Sequence, residues 1–183
     1  MDFLAEQLGI SKKTIYDTFK DKDDLILHCV ELRIHEHQGE LRDIVNRSSN
    51  VIAAIYEINL WSQAIYQRTN PLFYLDLKKY YPEIYAILMK KDHFRNDPVI
   101  YVMIERGVKE GLFNADINIE IVNIFWQEFI AFIHDRDRLS TCAYPKKELL
   151  KNILYPFIKG LCTAQGMKLL DRYFVIKSKE HVS

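Results

Sequence analysis

Leu4-Ala5-Glu6-Gln7-Leu8-Gly9-Ile10-Ser11-Lys12-Lys13-Thr14-Ile15-Tyr16 is the stretch that decides what kind of fold this chain adopts. Two short helices that cross closely need a small residue at the crossing, and Ala5 supplies it. They also need a tight turn that accepts positive φ, and Gly9 supplies that four residues later. Ser11 is placed to cap the second helix by accepting from its free amides. Leu4, Leu8, Ile10, Ile15 and Phe19 are then expected to form the apolar interior of the pair. The combined spacing favours a helix-turn-helix that reads DNA over a small helical hairpin of no special use.

Outward from this motif the chain continues as helices. Apolar residues recur at helical spacing almost everywhere, and with 6 Gly and 5 Pro in the chain there is no hairpin signal. Gly111, after Val108-Lys109-Glu110, is expected to be a left-handed C-cap. Pro71, Pro82, Pro98 and Pro145 suit first helical turns. Pro156 lies inside an apolar-periodic run and is expected to kink that helix. The marks predict helices over 2–8, 12–19, 23–47, 51–68, 71–80, 82–96, 98–110, 118–134, 146–161 and 167–174. The expected architecture is all-α, with a helix-turn-helix head over 1–47 and a larger helical body over 48–183.

Composition sets limits on function. Of 183 residues 49% are hydrophobic and 27% charged, which excludes a disordered or collagen-like chain and allows a sizeable core. Apolar runs such as Ile130-Ala131-Phe132-Ile133 are far shorter than the roughly 18–20 residues of a spanning helix, so no membrane partner is expected. Lys+Arg and Asp+Glu are both 25, so any attraction to nucleic acid has to be local. Over 11–22, Lys12, Lys13, Lys20 and Lys22 stand against Asp17 and Asp21, a net of +2. Over 1–47, seven basic residues face ten acidic ones, a net of −3. Phosphate neutralisation dominates non-specific DNA affinity, so an acidic head predicts weak, salt-sensitive binding.

Leu-Ala-x-x-Leu-Gly-Ile-Ser-x-x-Thr-Ile-Tyr-x-x-Phe-x-x-Lys-Asp-Asp-Leu, running from Leu4 to Leu25, resembles the N-terminal signature of the TetR family of transcriptional regulators. The resemblance implies an all-helical homodimer whose second motif helix enters the major groove. Lys12, Lys13 and Thr14 would then face base edges, since the N-terminal residues of a recognition helix reach the bases. Tyr16, Lys20 and Lys22 would contact the DNA backbone. The family pattern carries a further helix ahead of the motif, and Met1 falls inside the second helix of that pattern. The body resembles the family more loosely, through Ile104-Glu105-Arg106-Gly107-Val108-Lys109-Glu110-Gly111-Leu112-Phe113 and a stretch from Phe157 to Asp171.

In the family the last two long helices of each subunit form a four-helix dimer seam. Over 118–134, Ile121, Ile124, Phe125, Phe129 and Phe132 make one stripe, and Val122, Trp126, Ile130 and Ile133 make a second. A helix apolar on two faces must bury both. Leu149, Leu150, Ile153, Leu154, Phe157, Ile158 and Leu161 repeat the pattern. A homodimer is the expected resolution, with Ile121, Phe132, Leu150, Ile153, Leu154, Phe157 and Leu161 at its interface. Aromatics crowd the middle of the chain, which suits either core packing or a pocket for a flat, apolar effector. Trp61, Tyr66, Tyr101, Phe125, Trp126 and Phe129 come from the segments that enclose the family's cavity and are the expected pocket lining.

His28, His35 and His37 show no metal-ligand spacing that other residues could not occupy equally well, so neither metal nor cofactor is expected. Cys29 reads as a small core residue. Cys142 and Cys162 could form a redox pair only if they were close. Three cysteines, and no secretory signal in the chain as it stands, point to a reducing cytoplasm. Without a phosphate-cradling Gly loop, a zinc-protease helix motif or a nucleophile–base arrangement, an enzyme is not expected. The function expected from the sequence is a ligand-responsive transcriptional regulator, a repressor binding a palindromic operator on double-stranded DNA and answering to a small-molecule effector. The alternative is a helical dimeric small-molecule- or partner-binding protein that has lost DNA binding.

Overall fold

A computed structural model describes residues 1–89, 98–134, 144 and 146–176. Among these residues the fold is all-α: no strand forms, and the one isolated bridge pairs Phe113 with Cys162. The helices are α1 (Asp2–Leu8), α2 (Lys12–Thr18), α3 (Lys22–Arg47), α4 (Val51–Arg68), α5 (Pro71–Tyr80), α6 (Pro82–Leu88), α7 (Val99–Lys109) and α8 (Ile119–His134). A helical run from α9 (Lys146–Leu149) through a π-helical stretch (Leu150–Leu154) into α10 (Tyr155–Leu161) follows, and then α11 (Ala164–Asp171) and a second π-helical stretch (Arg172–Ile176). None of the described helices is long and apolar enough to cross a membrane.

The local punctuation acts as its chemistry demands. Gly9 and Gly111 take φ of 64° and 66°, and no non-glycine residue among those described has positive φ. Pro71 and Pro82 open α5 and α6. Asn70 caps α5 by accepting from the Leu72 amide at 2.9 Å. Thr163 caps α11 by accepting from the Gly166 amide, so that helix starts three residues earlier than apolar spacing alone indicates. Pro156 does not end its helix. Proline cannot donate to the carbonyl one turn back and its ring crowds that carbonyl, and the wider π-helical turn lies immediately before it.

The chain divides into two compact units, Met1–Gln38 with Thr69–Lys90, and Gly39–Arg68 with Lys91–Ser183. This differs from an expected boundary at 47/48. The cut falls within α3, and α5 and α6 belong with the N-terminal residues because Leu77 and Ile84 share a small core with Val30 of α3, flanked by Ile26, Leu27, Ile34, Tyr81, Tyr85 and Leu88.

The second unit holds the main core. Phe113, Ile52, Ile104, Ile158, Leu170 and Val51 are its most completely buried large side chains. Its packing leaves no slack at two glycines. A Cβ on Gly107 would lie 2.2 Å from the Phe113 ring, and one on Gly166 would lie 2.1 Å from the Leu112 carbonyl oxygen.

Arg106 of α7 fixes the corner where α3 gives way to α4. Its guanidinium donates to the carbonyls of Val45 at 2.5 Å and Ser48 at 2.7 Å, and to Glu110 Oε1 at 2.6 Å. Glu110 Oε2 in turn accepts from the Val51 amide at 2.8 Å. Carbonyls at the end of α3 and an amide at the start of α4, which have no partner inside their helices, are thus satisfied by one ion pair. Arg106→Ala leaves the Val45 and Ser48 carbonyls unpaired and should cost roughly 2–3 kcal/mol of stability in urea denaturation. Arg106→Lys should recover less than half of that, because an ammonium lacks the planar fork; full recovery by lysine would show that charge alone holds the corner.

Candidate nucleic-acid interface

The α1–turn–α2 segment is built from a few local interactions. Ala5 is 6% exposed and Ile15 4%, the buried residues of α1 and α2. The Gly9 amide closes α1 by donating to Glu6 O at 3.1 Å, and the Ile10 amide donates to Ala5 O at 3.0 Å. Ser11 Oγ accepts from the Thr14 amide at 3.0 Å and lies 2.8 Å from Thr14 Oγ1, which sets the direction in which α2 leaves the turn.

The apolar interior is smaller than periodicity suggests. Leu4 and Phe19 are half-buried, but Leu8 and Ile10 are exposed, at 59% and 42%, with Phe3 beside them in sequence at 74%. Two seven-residue helices cover only the side where they cross, so apolar residues beyond it face solvent. Cys29, expected in the core, is also exposed on α3.

The six residues expected to touch DNA lie on α2 and at the start of α3. Lys12, Lys13, Thr14, Tyr16, Lys20 and Lys22 are all exposed, Tyr16 to 45%. They are not equally available. Lys12 Nζ lies 2.9 Å from Asp2 Oδ1, a bond that raises the lysine pKa and lowers that of the aspartate. Thr14 has its hydroxyl engaged by Ser11. Lys13 and Lys20 form no side-chain ion pair among the described residues. Lys22 sits 5.4 Å from the centre of the Tyr81 ring, and its pKa is raised by a hydrogen bond to Tyr81.

The start of α3 is fixed by reciprocal caps. Asp21 Oδ1 accepts from the Asp24 amide at 2.9 Å, while Asp24 Oδ2 reaches back to the Lys20 amide at 3.0 Å. This is the logic of a capping box with aspartate in place of the longer acid. It sets the backbone of Lys20 and Lys22 relative to α3. One turn on, His28 Nδ1 lies 2.8 Å from the Asp24 carbonyl oxygen, and its ring meets Phe19 edge-on at 5.5 Å.

The residues expected to line an effector pocket lie on α4 (Trp61, Tyr66), α7 (Tyr101) and α8 (Phe125, Trp126, Phe129). Trp126 and Phe129 are buried in the main core, Trp126 edge-on to Phe157 at 5.8 Å. Phe125 is half exposed and lies 4.8 Å from Phe157. Tyr101 is 37% exposed. Trp61 Nε1 donates to Glu40 at 2.5 Å, and the Tyr66 side chain lies outside the described residues. The second unit also shows a cleft of about 150 Å³ lined by Arg42, Val45, Asn46, Pro98, Val99 and Val102, smaller than the roughly 300 Å³ at which drug-sized sites begin.

The expected interface residues divide in the same way. Leu154 and Leu161 are buried in the chain's own core and have little surface to offer a partner. Phe132, Leu150 and Phe157 are partly buried, whereas Ile121 and Ile153 are exposed. On α8 the inner stripe is Val122, Trp126, Phe129 and Ile133, so Phe129 faces inward, away from the outer stripe of Ile121, Ile124 and Phe125, which are 65%, 62% and 49% exposed.

Other chemistry is sparse. Cys162 is buried, which pushes its thiol up to about 11, with Asp171 adding to the shift. Cys142 lies outside the described residues. Among the described residues no three His, Cys, Asp or Glu side chains gather as a metal ion would require.

His28 provides a probe of the α2–α3 corner. Its pKa is raised first by the Asp24 carbonyl, opposed next by desolvation, and raised further by the smaller effects of Asp24 and Glu31 charge. A raised folded-state value means that the stabilisation is complete below the ordinary histidine range and is lost as pH rises through the folded-state value. An NMR titration should place His28 above an ordinary histidine. Asp24→Asn should leave most of that shift, because the main acceptor is a backbone carbonyl; collapse of the shift in this variant would mean that the carboxylate controls it.

No protein-family model matches the chain, and comparison with curated proteins and with solved structures also gives no match.

Proposed function

We propose that this protein is a DNA-binding transcriptional regulator of the TetR type, acting as a homodimer on a palindromic operator and responding to a small molecule. The observation that carries the reading is the α1–turn–α2 segment: Ala5 buried at the crossing, Gly9 in the left-handed turn, Ser11 capping α2, and Lys13, Tyr16, Lys20 and Lys22 exposed around it. Base edges are read by Lys13 and Thr14, with Lys12 joining them once Asp2 releases it. Tyr16, Lys20 and Lys22 hold phosphates, which position the protein without reading sequence.

The exposed stripe of Ile121, Ile124 and Phe125, with Ile153, supports dimerisation through α8 and the helical run that holds Ile153. A contiguous apolar face of this kind is costly to leave in water, and two-fold pairing of copies matches two half-sites of a palindrome. An effector would act by binding one conformer of the dimer more tightly and so shifting the population between operator-competent and incompetent forms.

Selection of duplexes from a random pool, followed by anisotropy titrations, tests the assignment. Lys22→Ala should weaken binding to every duplex and reduce the salt slope by about 1. Lys13→Ala should change the preferred base at one or two positions of each half-site, at roughly 1–3 kcal/mol of discrimination. Asp2→Asn, which frees Lys12, should strengthen binding. If wild-type protein enriches no sequence and neither lysine matters, the alternative of a dimeric ligand- or partner-binding protein without DNA binding takes its place.

A further inference from the structure

Among the described residues, three lysine–tyrosine pairs lie on the first unit. Lys22 Nζ is 5.4 Å from the centre of the Tyr81 ring, Lys79 Nζ 4.8 Å from that of Tyr80, and Lys78 Nζ 5.9 Å from that of Tyr85. The first pair joins the start of α3 to the corner between α5 and α6. The small core of Val30, Leu77 and Ile84, with Tyr81 and Tyr85 against it, holds that corner in place. Lys78, Lys79 and Tyr80 are exposed, Tyr80 to 60%.

We propose that the α5–α6 corner is a second part of the DNA-contacting surface, on which Lys78 and Lys79 neutralise backbone phosphates flanking those held by Lys20 and Lys22. The proposal rests on the DNA-binding reading given above. It follows from adjacency and charge. Lys22 is the phosphate-contacting residue at the start of α3, and Tyr81 packs directly on it, so the residues around Tyr81 lie beside the path of the DNA backbone. A lysine over a tyrosine ring keeps its charge, and the exposed Tyr80 hydroxyl adds a donor of the kind that binds phosphate oxygens.

The corner's positive charge is local, as it is around α2: over 71–88 Lys78 and Lys79 are balanced by Asp76 and Glu83, a net of zero. Residues 1–47 carry a net of −3, so the phosphate neutralisation on which affinity depends rests on local groups of lysines. Lys78 and Lys79 are adjacent, and Tyr80, Tyr81 and Pro82 after them carry no opposing charge. The nearest acids in sequence are Asp76, within α5, and Glu83, in the first turn of α6, where a carboxylate favours the helix N-terminus.

The test is the salt dependence of binding to a labelled mixed-sequence duplex about three turns long, measured by anisotropy between about 50 and 200 mM salt. Each phosphate contact contributes about 0.9 to the slope. Lys78→Ala/Lys79→Ala should therefore lower the slope by close to 1.8 and weaken binding by up to about 60-fold at 0.1 M salt. Sequence preference and thermal unfolding should not change, and Lys78→Gln/Lys79→Gln should behave alike. Lys151→Ala/Lys168→Ala removes two exposed lysines of the second unit and should leave the slope in place. An unchanged slope in the Lys78/Lys79 variants, while Lys22→Ala still lowers it, overturns the proposal alone. An equal fall in the Lys151/Lys168 control also overturns it, since net charge would then suffice. Absence of binding by the wild-type protein at the lowest salt removes the DNA-binding reading and this proposal together.

Discussion

Arg106 gives one planar guanidinium to three acceptors, and the corner between α3 and α4 depends on it. Val45 and Ser48 carbonyls end α3, Glu110 closes the fork, and the same carboxylate starts α4 through the Val51 amide. Around this point lie the tightest parts of the second unit: Val51 and Ile52 fully buried, Ile104 packed beside them, and Gly107 giving up its side chain to the Phe113 ring. An ion pair a quarter exposed would contribute little by charge alone. Its weight comes from satisfying backbone groups that helix ends leave open.

The first unit is organised differently, by short-range bonds more than by a large core. Ser11, Asp21 and Asp24 each accept from a backbone amide within four residues, and Ala5, Ile15 and the Val30–Leu77–Ile84 group supply the packing. Such a scaffold presents its lysines on well-defined backbone with little apolar cost. The exposed Leu8 and Ile10 show how little core two seven-residue helices make by themselves.

Much of this was legible in the sequence because it is local. Positive φ at Gly9 and Gly111, proline at the start of α5 and α6, and the Ser11 cap follow from chemistry within one turn of chain. Periodicity named apolar faces but could not say what covers them, so Leu8 and Ile10 proved exposed, and Leu154 and Leu161 proved to face their own core. What escaped is long-range. Nothing local to Lys78-Lys79-Tyr80-Tyr81 places it beside Lys22, more than fifty positions earlier, and nothing in Ile104-Glu105-Arg106 points to the Val45 carbonyl. The π-helical turn before Pro156 had a signal in the proline itself, read as a kink because both relieve the same clash.

Backbone amide shifts on titration with a selected duplex test the central claim most directly. The account predicts perturbations concentrated at Lys13, Thr14 and Tyr16 and at Lys20 and Lys22, with smaller ones at Lys79 and Tyr80, while Ile121, Ile124 and Phe125 on α8 stay in place. Shifts confined to α8 and α10, with α2 unmoved at saturating duplex, would contradict it.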